Sequence, residues 1–344
     1  MVDEFLAKFA VSGDMIRVTS PLNDDLFYVF AFLSTATGRH LLRGGGWGSV
    51  VDHIHPKDVR NIPVPMADER TRRTVVNAFV KAMELREQAR LSLLQAEQEF
   101  LRLSGLRAAV EALPLSAYRR RFQLNASQLK RRLDVEPHAP LYQAYREAIR
   151  STGMAAHLSE VGKVFRPPGR YKTVYVENPQ YGIPILSGRQ VAQYRPVGLK
   201  FISPASFRRP DDYLLEHNTL VLTADGRAEE NLADCAVVTR DRAGWAASGH
   251  VIRIIPQPGI HVGLLYLACT CQPVQAQMKA LATGSVVDAL SEDDVSDVLL
   301  LYPGDSEWGR NLAKQVVDAW NRFVDANSLE DSAIKLLESY LGGD

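Results

Sequence analysis

Cysteine is scarce in this sequence. The 344 residues contain three cysteines, Cys235, Cys269 and Cys271, and so few thiols in an odd number exclude a disulfide framework and a structural zinc site. The last two lie in the apolar run VGLLYLACTCQP, where alternate residues of a strand would share one face. We interpret all three as small core residues in a reducing compartment.

Long apolar runs and net charge are also missing. No run of about 18 apolar residues occurs, so the sequence predicts no membrane span. The first ten residues, MVDEFLAKFA, place acidic residues among apolar ones and lack a basic start, which is not typical of a secretory signal. We therefore expect a cytoplasmic protein. The formal net charge of zero argues against binding of nucleic acid over the whole surface.

Motifs that indicate catalysis are absent as well. The sequence has no phosphate-binding loop GxxxxGK[ST], no HExxH, no GxSxG and no [ND]PP[YF] methyltransferase motif. His53 and His55 lie two residues apart, but the sequence around them offers no third metal ligand. We expect no catalytic residue, no bound metal and no cofactor.

Charge is present but unevenly distributed. Residues 116–209 contain 17 Lys and Arg against 5 Asp and Glu, whereas residues 288–344 contain 4 against 13. This division favours one face for a polyanion and another face for a different partner. Compensation between two domains would give the same pattern.

One passage of the sequence occurs twice. GSVVDHIHPKDV at 48–59 returns as GSVVDALSEDDV at 284–295, an offset of 236 residues. The same offset carries SGDMIRV at 12–18 onto SGHVIRI at 248–254. A period this long excludes a solenoid and indicates a duplicated domain. At this register Met1 is equivalent to Val237, so the chain holds one complete copy and the back part of another.

The acidic stretch SEDDVSD at 291–297 falls on HPKDVRN of the first copy. A nuclease would need a carboxylate cluster that holds a metal ion. Since one copy replaces the acids with His-Pro-Lys, we interpret the stretch as the solvated start of a helix.

Two long helices are predicted from apolar residues at steps of three and four. The first covers 71–104 and, at 1.5 Å per residue, is about 50 Å long. The second covers 311–341, with a break expected at 326–328. Long helices with apolar stripes seek each other, so we expect an antiparallel pair. The side chains expected in its seam are Phe79, Met83, Phe100, Trp320 and Phe323.

The sequence between these helices predicts a mixed α and β domain. It opens with two helical stretches, SQLKRRLD and PLYQAYREAIRST, and continues with the short β-like runs KTVYV, IPIL, GLKFIS, NTLVLT, CAVVT and HVIRII. In the first copy, a strand at MIRV and a helix after PLNDD are expected. The predicted fold class is α+β, with irregular mixed α/β domains and two long antiparallel, coiled-coil-like helices. The expected divisions are 1–68, 69–115, 116–305 and 306–344.

Together these features resemble the specificity subunits of type I restriction–modification systems. The resemblance rests on GSVVDHIHPKDVRNIPVP leading into the helix with ELREQARLSLLQAEQEF, on the second copy GSVVDALSEDDVSDVLLLYP, and on YGIPILSGRQV followed by LKFIS and HNTLVLTADG. It extends over the chain from about residue 12. In that family a target-recognition domain followed by a long helix occurs twice. Each domain reads one half of a bipartite DNA site, and the helices form a spacer that docks methyltransferase subunits.

The resemblance implies a non-catalytic DNA-recognition subunit of a restriction–modification or related phage-defence complex. Its implied partners are double-stranded DNA and DNA methyltransferase subunits, with or without a restriction or translocase subunit. The chain departs from the family pattern because the front of the first recognition domain is missing. Either the chain is a fragment or an alternative-start product, or a homodimer partner or a second specificity chain supplies the missing part. One alternative is a split or regulatory assembly module that pairs with another specificity chain and reads no DNA. Another is a catalytic subunit that uses unrecognised residues.

DNA contacts are expected from basic loops, because Arg, Lys and hydroxyl groups bind phosphates and Arg, Lys, Asn and Gln read base edges. Each such residue alone is equally explained as a solvated surface charge, but as a set they favour a groove-facing surface. In the complete copy the candidates are Arg166, Arg170, Lys172, Arg189, Gln190, Arg208, Arg209, Lys279 and Ser285. The equivalent loop of the first copy adds Arg43 and Ser49.

Overall fold

A computed structural model describes residues 8–10, 12–13, 15–44, 53–129, 132–166, 174–206, 212–284 and 287–342. The chain forms two units. Unit 1 comprises Met1–Leu91 and Arg322–Asp344, and unit 2 comprises Ser92–Asn321.

Helices make up most of the regular structure. Their bounds are α1 Asn23–Ser34, α2 Ala36–Gly44, α3 Pro56–Arg60, α4 Glu69–Leu103, α5 Leu106–Glu111, α6 Pro140–Ser151, α7 Leu158–Val161, α8 Val262–Thr270, α9 Gln272–Ala280, α10 Glu292–Ser296 and α11 Glu307–Gly342. Helices α4 and α11 each begin in one unit and end in the other. Within the described ranges, none of these helices is long and apolar enough to cross a membrane.

The strands found among the described residues are short and lie in unit 2. Their bounds are β1 Ala155–His157, β2 Gly162–Phe165, β3 Tyr175–Val176, β4 Ile183–Leu186, β5 Lys200–Ile202, β6 Leu220–Thr223, β7 Asp225–Gly226, β8 Cys235–Val237, β9 Ala246–Ala247, β10 Val251–Pro256, β11 Asp288–Ala289 and β12 Leu299–Leu301. They form one sheet in the order β2-β10-β6-β8, a second in the order β3-β5-β4-β9, and the pairs β1-β12 and β7-β11. Apart from the parallel pair β4-β9, all pairs are antiparallel. The fold is α+β, as predicted.

The repeated passage corresponds to repeated structure. Shifted by 236 residues, α2 coincides with α9 and α3 coincides with α10 at both ends, and α8 falls on the last nine residues of α1. Helix α11 falls on α4 with an offset of two residues at its start. Two segments that share only part of their sequence therefore adopt one succession of four helices, as a duplication requires.

The two long helices pack against each other in opposite directions. In unit 1, Phe79 of α4 shares a buried cluster with Ala333 and Leu337 near the end of α11. In unit 2, further along α4, the rings of Phe100 and Trp308 lie 6.4 Å apart. An early residue of α4 therefore packs near the end of α11, and a late residue of α4 packs near its start. This order confirms the predicted antiparallel pair.

The residues predicted for the seam are mostly in the interior. Phe79, Phe100, Trp320 and Phe323 are almost fully buried, and Met83 is half-buried against the Phe79 cluster. Trp320 also packs against two tyrosines of unit 2 that lie outside the helix pair. Its ring lies 5.7 Å from that of Tyr194 and 5.8 Å from that of Tyr266.

The predicted break at 326–328 is wrong, because α11 continues through it. Ala326 is fully buried, and the side-chain oxygen of Asn327 accepts a hydrogen bond of 2.9 Å from Arg86 of α4. Arg86 also donates to the Glu330 carboxylate. Asn disfavours helices when its side chain competes for the backbone. Here the side chain has a tertiary partner, so the helix is retained.

The apolar run that contains Cys269 and Cys271 forms α8 and the start of α9. Nearly every residue of α8 is buried, and an element that is apolar on all sides shows no period that separates helix from strand. The stretch SQLKRRLD was expected to be helical, but its described part contains only a short 3-10 turn at Ala126–Gln128. All three cysteines are buried and unpaired, as predicted.

The strand predicted at MIRV does not form. Residues 15–20 have no regular structure, whereas their equivalents in unit 2 form β10 between β2 and β6. A strand requires partners for its backbone groups. Within the described part of unit 1, residues 15–20 have no partner strand.

Candidate nucleic-acid interface

Two basic side chains of unit 2, Arg166 and His250, contact Asp225, the first residue of β7. One carboxylate oxygen of Asp225 accepts hydrogen bonds from Arg166 Nη2 at 2.6 Å and from His250 Nδ1 at 2.5 Å. The Asp225 side chain is 15% exposed and that of His250 is 69% exposed. We call Arg166, Asp225 and His250 the Asp225 cluster.

Arg166 joins three loops in this cluster. Besides Asp225, its guanidinium donates to the carbonyl oxygens of Gly249 at 2.7 Å and Leu290 at 3.1 Å. Its backbone N–H donates to the carboxylate of Glu292. Because its donors and its charge already have partners, Arg166 positions the surrounding loops in this conformation.

Arg189 lies beside the cluster and is exposed. It occupies the middle of a 3-10 turn, Gly188–Gln190, which is held against β6 because Thr223 Oγ1 donates to the Gly188 carbonyl at 3.1 Å. A Cβ on Gly188 would lie 3.0 Å from Thr223 Cγ2 and 3.6 Å from the carbonyl oxygens of Asp225 and His250. The glycine therefore permits the close approach that places Arg189 at this end of the sheet.

Gln190 was expected to read a base edge, and the structure gives it a different place. It is 3% exposed. Its side-chain oxygen accepts from the backbone N–H of Ser187 at 3.1 Å, and its amide nitrogen donates to the Val197 carbonyl at 3.2 Å. The amide is used to close the turn that carries Arg189, so in this conformation it is not available to DNA.

Lys279 and Arg43 occupy equivalent positions in the last turns of α9 and α2. Lys279 is half-buried, whereas Arg43 is exposed. Burial raises the pKa of the Asp234 carboxyl, and the charge of Lys279 partly opposes this increase. The charge of Lys279 therefore acts on a carboxyl group of unit 2, that of Asp234.

The other sequence-predicted contacts fall outside the described residues. They are Arg170, Lys172, Arg208, Arg209, Ser285 and Ser49. Arg166 directly precedes one of the segments outside the described residues, 167–173.

Sequence reasoning missed Asp225, His250 and Arg242. Asp225 stands in TADG, at the end of a passage that carries the family resemblance, so a signal was present for it. His250 falls on Asp14 of the first copy and has no such signal. Arg242 is almost fully buried and donates to the carbonyl oxygens of Gln193 at 2.5 Å and Tyr194 at 3.2 Å. Burial lowers the pKa of its guanidinium. It fixes the backbone that follows the Arg189 turn.

The arrangement offers hydrogen-bond donors on a positioned backbone. The exposed Arg189 guanidinium suits phosphate oxygens or the acceptor pair of guanine, and the exposed His250 ring can donate or accept. In the part of the chain that the structure describes, no three His, Cys, Asp or Glu side chains are grouped to hold a metal ion.

No protein-family model matches the chain, and no curated protein matches it significantly. Among solved structures, the chain is similar to the type I restriction–modification S subunit from M. genitalium, with 15% identity and a TM-score of 0.35 over 91% of this chain and 72% of that one. It is also similar to the HsdS subunit from Thermoanaerobacter tengcongensis, with 14% identity and a TM-score of 0.35 over 92% and 70%. A third similarity, to the type IIG restriction endonuclease BpuSI, has 10% identity and a TM-score of 0.40 over 60% and 33%.

Proposed function

We propose that this chain is a cytoplasmic, non-catalytic specificity subunit of a restriction–modification or related phage-defence complex. In this proposal, unit 2 reads a DNA half-site with the surface formed by Arg189, the Asp225 cluster and the neighbouring basic loops. The helix pair α4 and α11 docks methyltransferase subunits. DNA reading, methyltransferase docking and the membership implied by the sequence resemblance are all parts of this proposal.

The duplicated helical unit carries the proposal. Four helices recur at an offset of 236 residues, and each copy ends in a helix of more than thirty residues. A recognition unit followed by a long helix that pairs antiparallel with its duplicate suits a bipartite DNA target, because a rigid helix fixes a distance at about 1.5 Å per residue. Two of the three sequence passages that resemble type I specificity subunits, 48–65 and 284–303, directly precede α4 and α11.

The charge distribution supports DNA as the ligand of unit 2. The whole chain is neutral, yet residues 116–209 carry 17 basic against 5 acidic side chains. This segment includes Arg166, Arg189 and the two basic loops beyond the described residues. Phosphate neutralisation by Lys and Arg supplies most of the non-specific affinity for DNA. Buried groups such as Gln190 and Arg242 hold the Arg189 turn in place, which a base-reading side chain needs.

Methylome sequencing of the host with and without this chain tests the proposal. The expected result is one methylated DNA motif that disappears when the chain is deleted and returns when it is restored. An unchanged methylome would contradict the proposed role. Restoration with an Arg189→Ala variant adds a control for the reading surface, because the motif should then change or weaken.

A second candidate function is an assembly module that reads no DNA itself. Residues 15–20 of unit 1 favour it. Within the described ranges they have no partner strand, whereas their equivalents form β10 in unit 2. Mobility shifts on random and motif-containing duplexes, with methyltransferase present, separate the two candidates. Binding that depends on sequence supports recognition, whereas complex formation without any DNA binding supports the assembly module.

A further inference from the structure

Unit 1 exposes apolar side chains that its duplicate buries. Met15, Ile16 and Val18 are 65%, 37% and 49% exposed. Their equivalents at the offset of 236, Val251, Ile252 and Ile254, are all 0% exposed. The side chains are chemically similar, so the difference arises from what covers them.

The cover in unit 2 consists of two strands. β10 lies between β2 and β6 and is antiparallel to both. Arg253, in the middle of β10, is opposite Phe165 on one side and Val221 on the other. Both covering strands belong to the part of the recognition domain before residue 237, which has no equivalent within residues 1–344.

A second pair of equivalent positions also differs in exposure between the two units. Ile54 is 38% exposed, whereas its equivalent Leu290 is 0% exposed. The backbone N–H of Leu290 donates to the Ala224 carbonyl at 2.8 Å, and its carbonyl accepts from Arg166. Residues 63–65 are likewise equivalent to β12, which pairs with β1. Each of these covering groups again lies before residue 237.

The exposed segment of unit 1 and its buried equivalent in unit 2 each carry an arginine at the same position, Arg17 and Arg253. Arg253 is 2% exposed in the middle of β10. Its guanidinium donates to the carbonyl oxygens of Leu214 at 2.7 Å and Asp212, and lies 4.4 Å from the centre of the Phe165 ring. Burial of a cation is costly unless it has such partners. Arg17 stands at the equivalent position in unit 1 and is exposed.

We propose that residues 15–18 of unit 1 are an acceptor for two antiparallel β-strands of a polypeptide segment that lies outside residues 1–344. The segment has the pattern of β2 and β6 of unit 2: two short strands of about four residues, of which one ends in an aromatic residue. Arg17 donates to backbone carbonyl oxygens of this segment and stacks on its aromatic ring. This inference rests on the repeat and not on the proposed DNA-reading role.

A second copy of this chain is a poorer occupant. Its strands β2 and β6 already pair with its own β10. Exchange of these strands between two copies would cover one acceptor and expose another, so nothing is gained. Addition of strands to an open edge instead satisfies backbone groups and covers the apolar side chains together.

Site-specific photocrosslinking in the host tests the inference. A benzophenone amino acid replaces Ile16 in the full-length chain, and the same residue at Tyr340, an exposed position of α11 in unit 1, is the control. The expected result is one adduct at position 16, absent at position 340, whose linked peptide lies in a segment with the two-strand pattern. An adduct to a second copy, an adduct to a peptide without this pattern, or no difference between the two positions would overturn the inference.

The Arg17→Met variant tests the register. Loss of hydrogen bonds to a charged donor should lower the yield of the position-16 adduct by about tenfold or more. The matched control is Arg39→Met, which changes another exposed arginine of unit 1 and should leave the yield unchanged. Equal yields for both variants would contradict the role of Arg17. Methylation activity is not part of the readout, so failure here is distinct from failure of the proposed function.

Discussion

The two copies of the duplicated unit differ in their β-structure and agree in their helices. Unit 1 retains α1, α2 and α3 at the positions of α8, α9 and α10, but residues 15–20 form no strand where unit 2 has β10. The helices close their backbone hydrogen bonds within the element, whereas β10 obtains its bonds from β2 and β6. The comparison shows that the repeated helices form in both copies, whereas the strand forms only where segments distant in the sequence supply its partners.

Unit 1 compensates locally for one missing strand. The hydroxyl group of Tyr28 donates to the Pro65 carbonyl at 2.9 Å and accepts from the Ala67 N–H at 2.9 Å. Position 65 is equivalent to the end of β12, which pairs with β1 in unit 2. A side chain of α1 thus holds the segment that precedes α4, in place of a strand.

The largest effects are expected in the helix pair. Phe79→Ala in unit 1 and Phe100→Ala in unit 2 should each lower the free energy of unfolding by about 3–5 kcal/mol, because each removes a buried aromatic ring. Hydrogen exchange should show increased opening of the unit that carries the change. Leu91→Ala, at an exposed position of the same helix, is the control. Equal, small effects of all three changes would contradict the packing described.

The next prediction compares the loss of stability caused by truncating a side chain at equivalent positions in the two copies. Ile254→Ala in β10 should cost about 2–5 kcal/mol, as is usual for a buried aliphatic side chain. Val18→Ala at the equivalent exposed position should change stability by less than about 0.5 kcal/mol in the isolated chain. Chemical denaturation measures both. If Val18→Ala were as costly as Ile254→Ala, residues 15–18 would be covered in the isolated chain.

A smaller effect is expected in DNA binding. Arg189→Ala, assayed in the complex with methyltransferase, should weaken binding by about 1–3 kcal/mol and relax the preference at one base pair if the side chain reads a base edge. If it contacts phosphate instead, all sequences should weaken alike and the salt dependence should fall by about one unit of slope. Titration against duplex DNA at several salt concentrations distinguishes the two. Arg39→Ala in unit 1 should change neither quantity.

The smallest effect concerns Lys279 and its equivalent Arg43. Lys279→Met should raise the pKa of Asp234 further, because burial alone then acts on this carboxyl. A folded-state pKa above the unfolded value means that the folded protein binds more protons, so stability falls as pH rises through that window. The variant should show this fall at higher pH than the parent. NMR titration of Asp234 checks the direction, and Arg43→Met should leave the titration unchanged.

The sequence predicts the periodic elements well and the site only in part. The expected helix 71–104 is found at Glu69–Leu103, because its apolar period is local. All six short β-like runs of unit 2 contain strands, whereas the equivalent run MIRV forms none in unit 1, because a strand also needs partner strands from elsewhere in the chain. The burial of Gln190 and the Asp225 cluster depend on contacts such as that between Arg166 and Asp225, which are 59 residues apart. No period in the sequence encodes such a contact. In a sequence, a polar residue next to glycine does not indicate whether its side chain closes a turn or contacts a ligand.

Selection of duplexes from a randomised DNA library tests the central claim, which is that unit 2 of this chain reads DNA. The full complex with methyltransferase should enrich one motif. The Arg189→Ala complex should enrich a motif altered at one position or bind all duplexes more weakly, while Arg39→Ala should reproduce the parent motif. Failure of the parent complex to enrich any sequence, or an identical motif and affinity for the Arg189 variant, would contradict recognition by this surface.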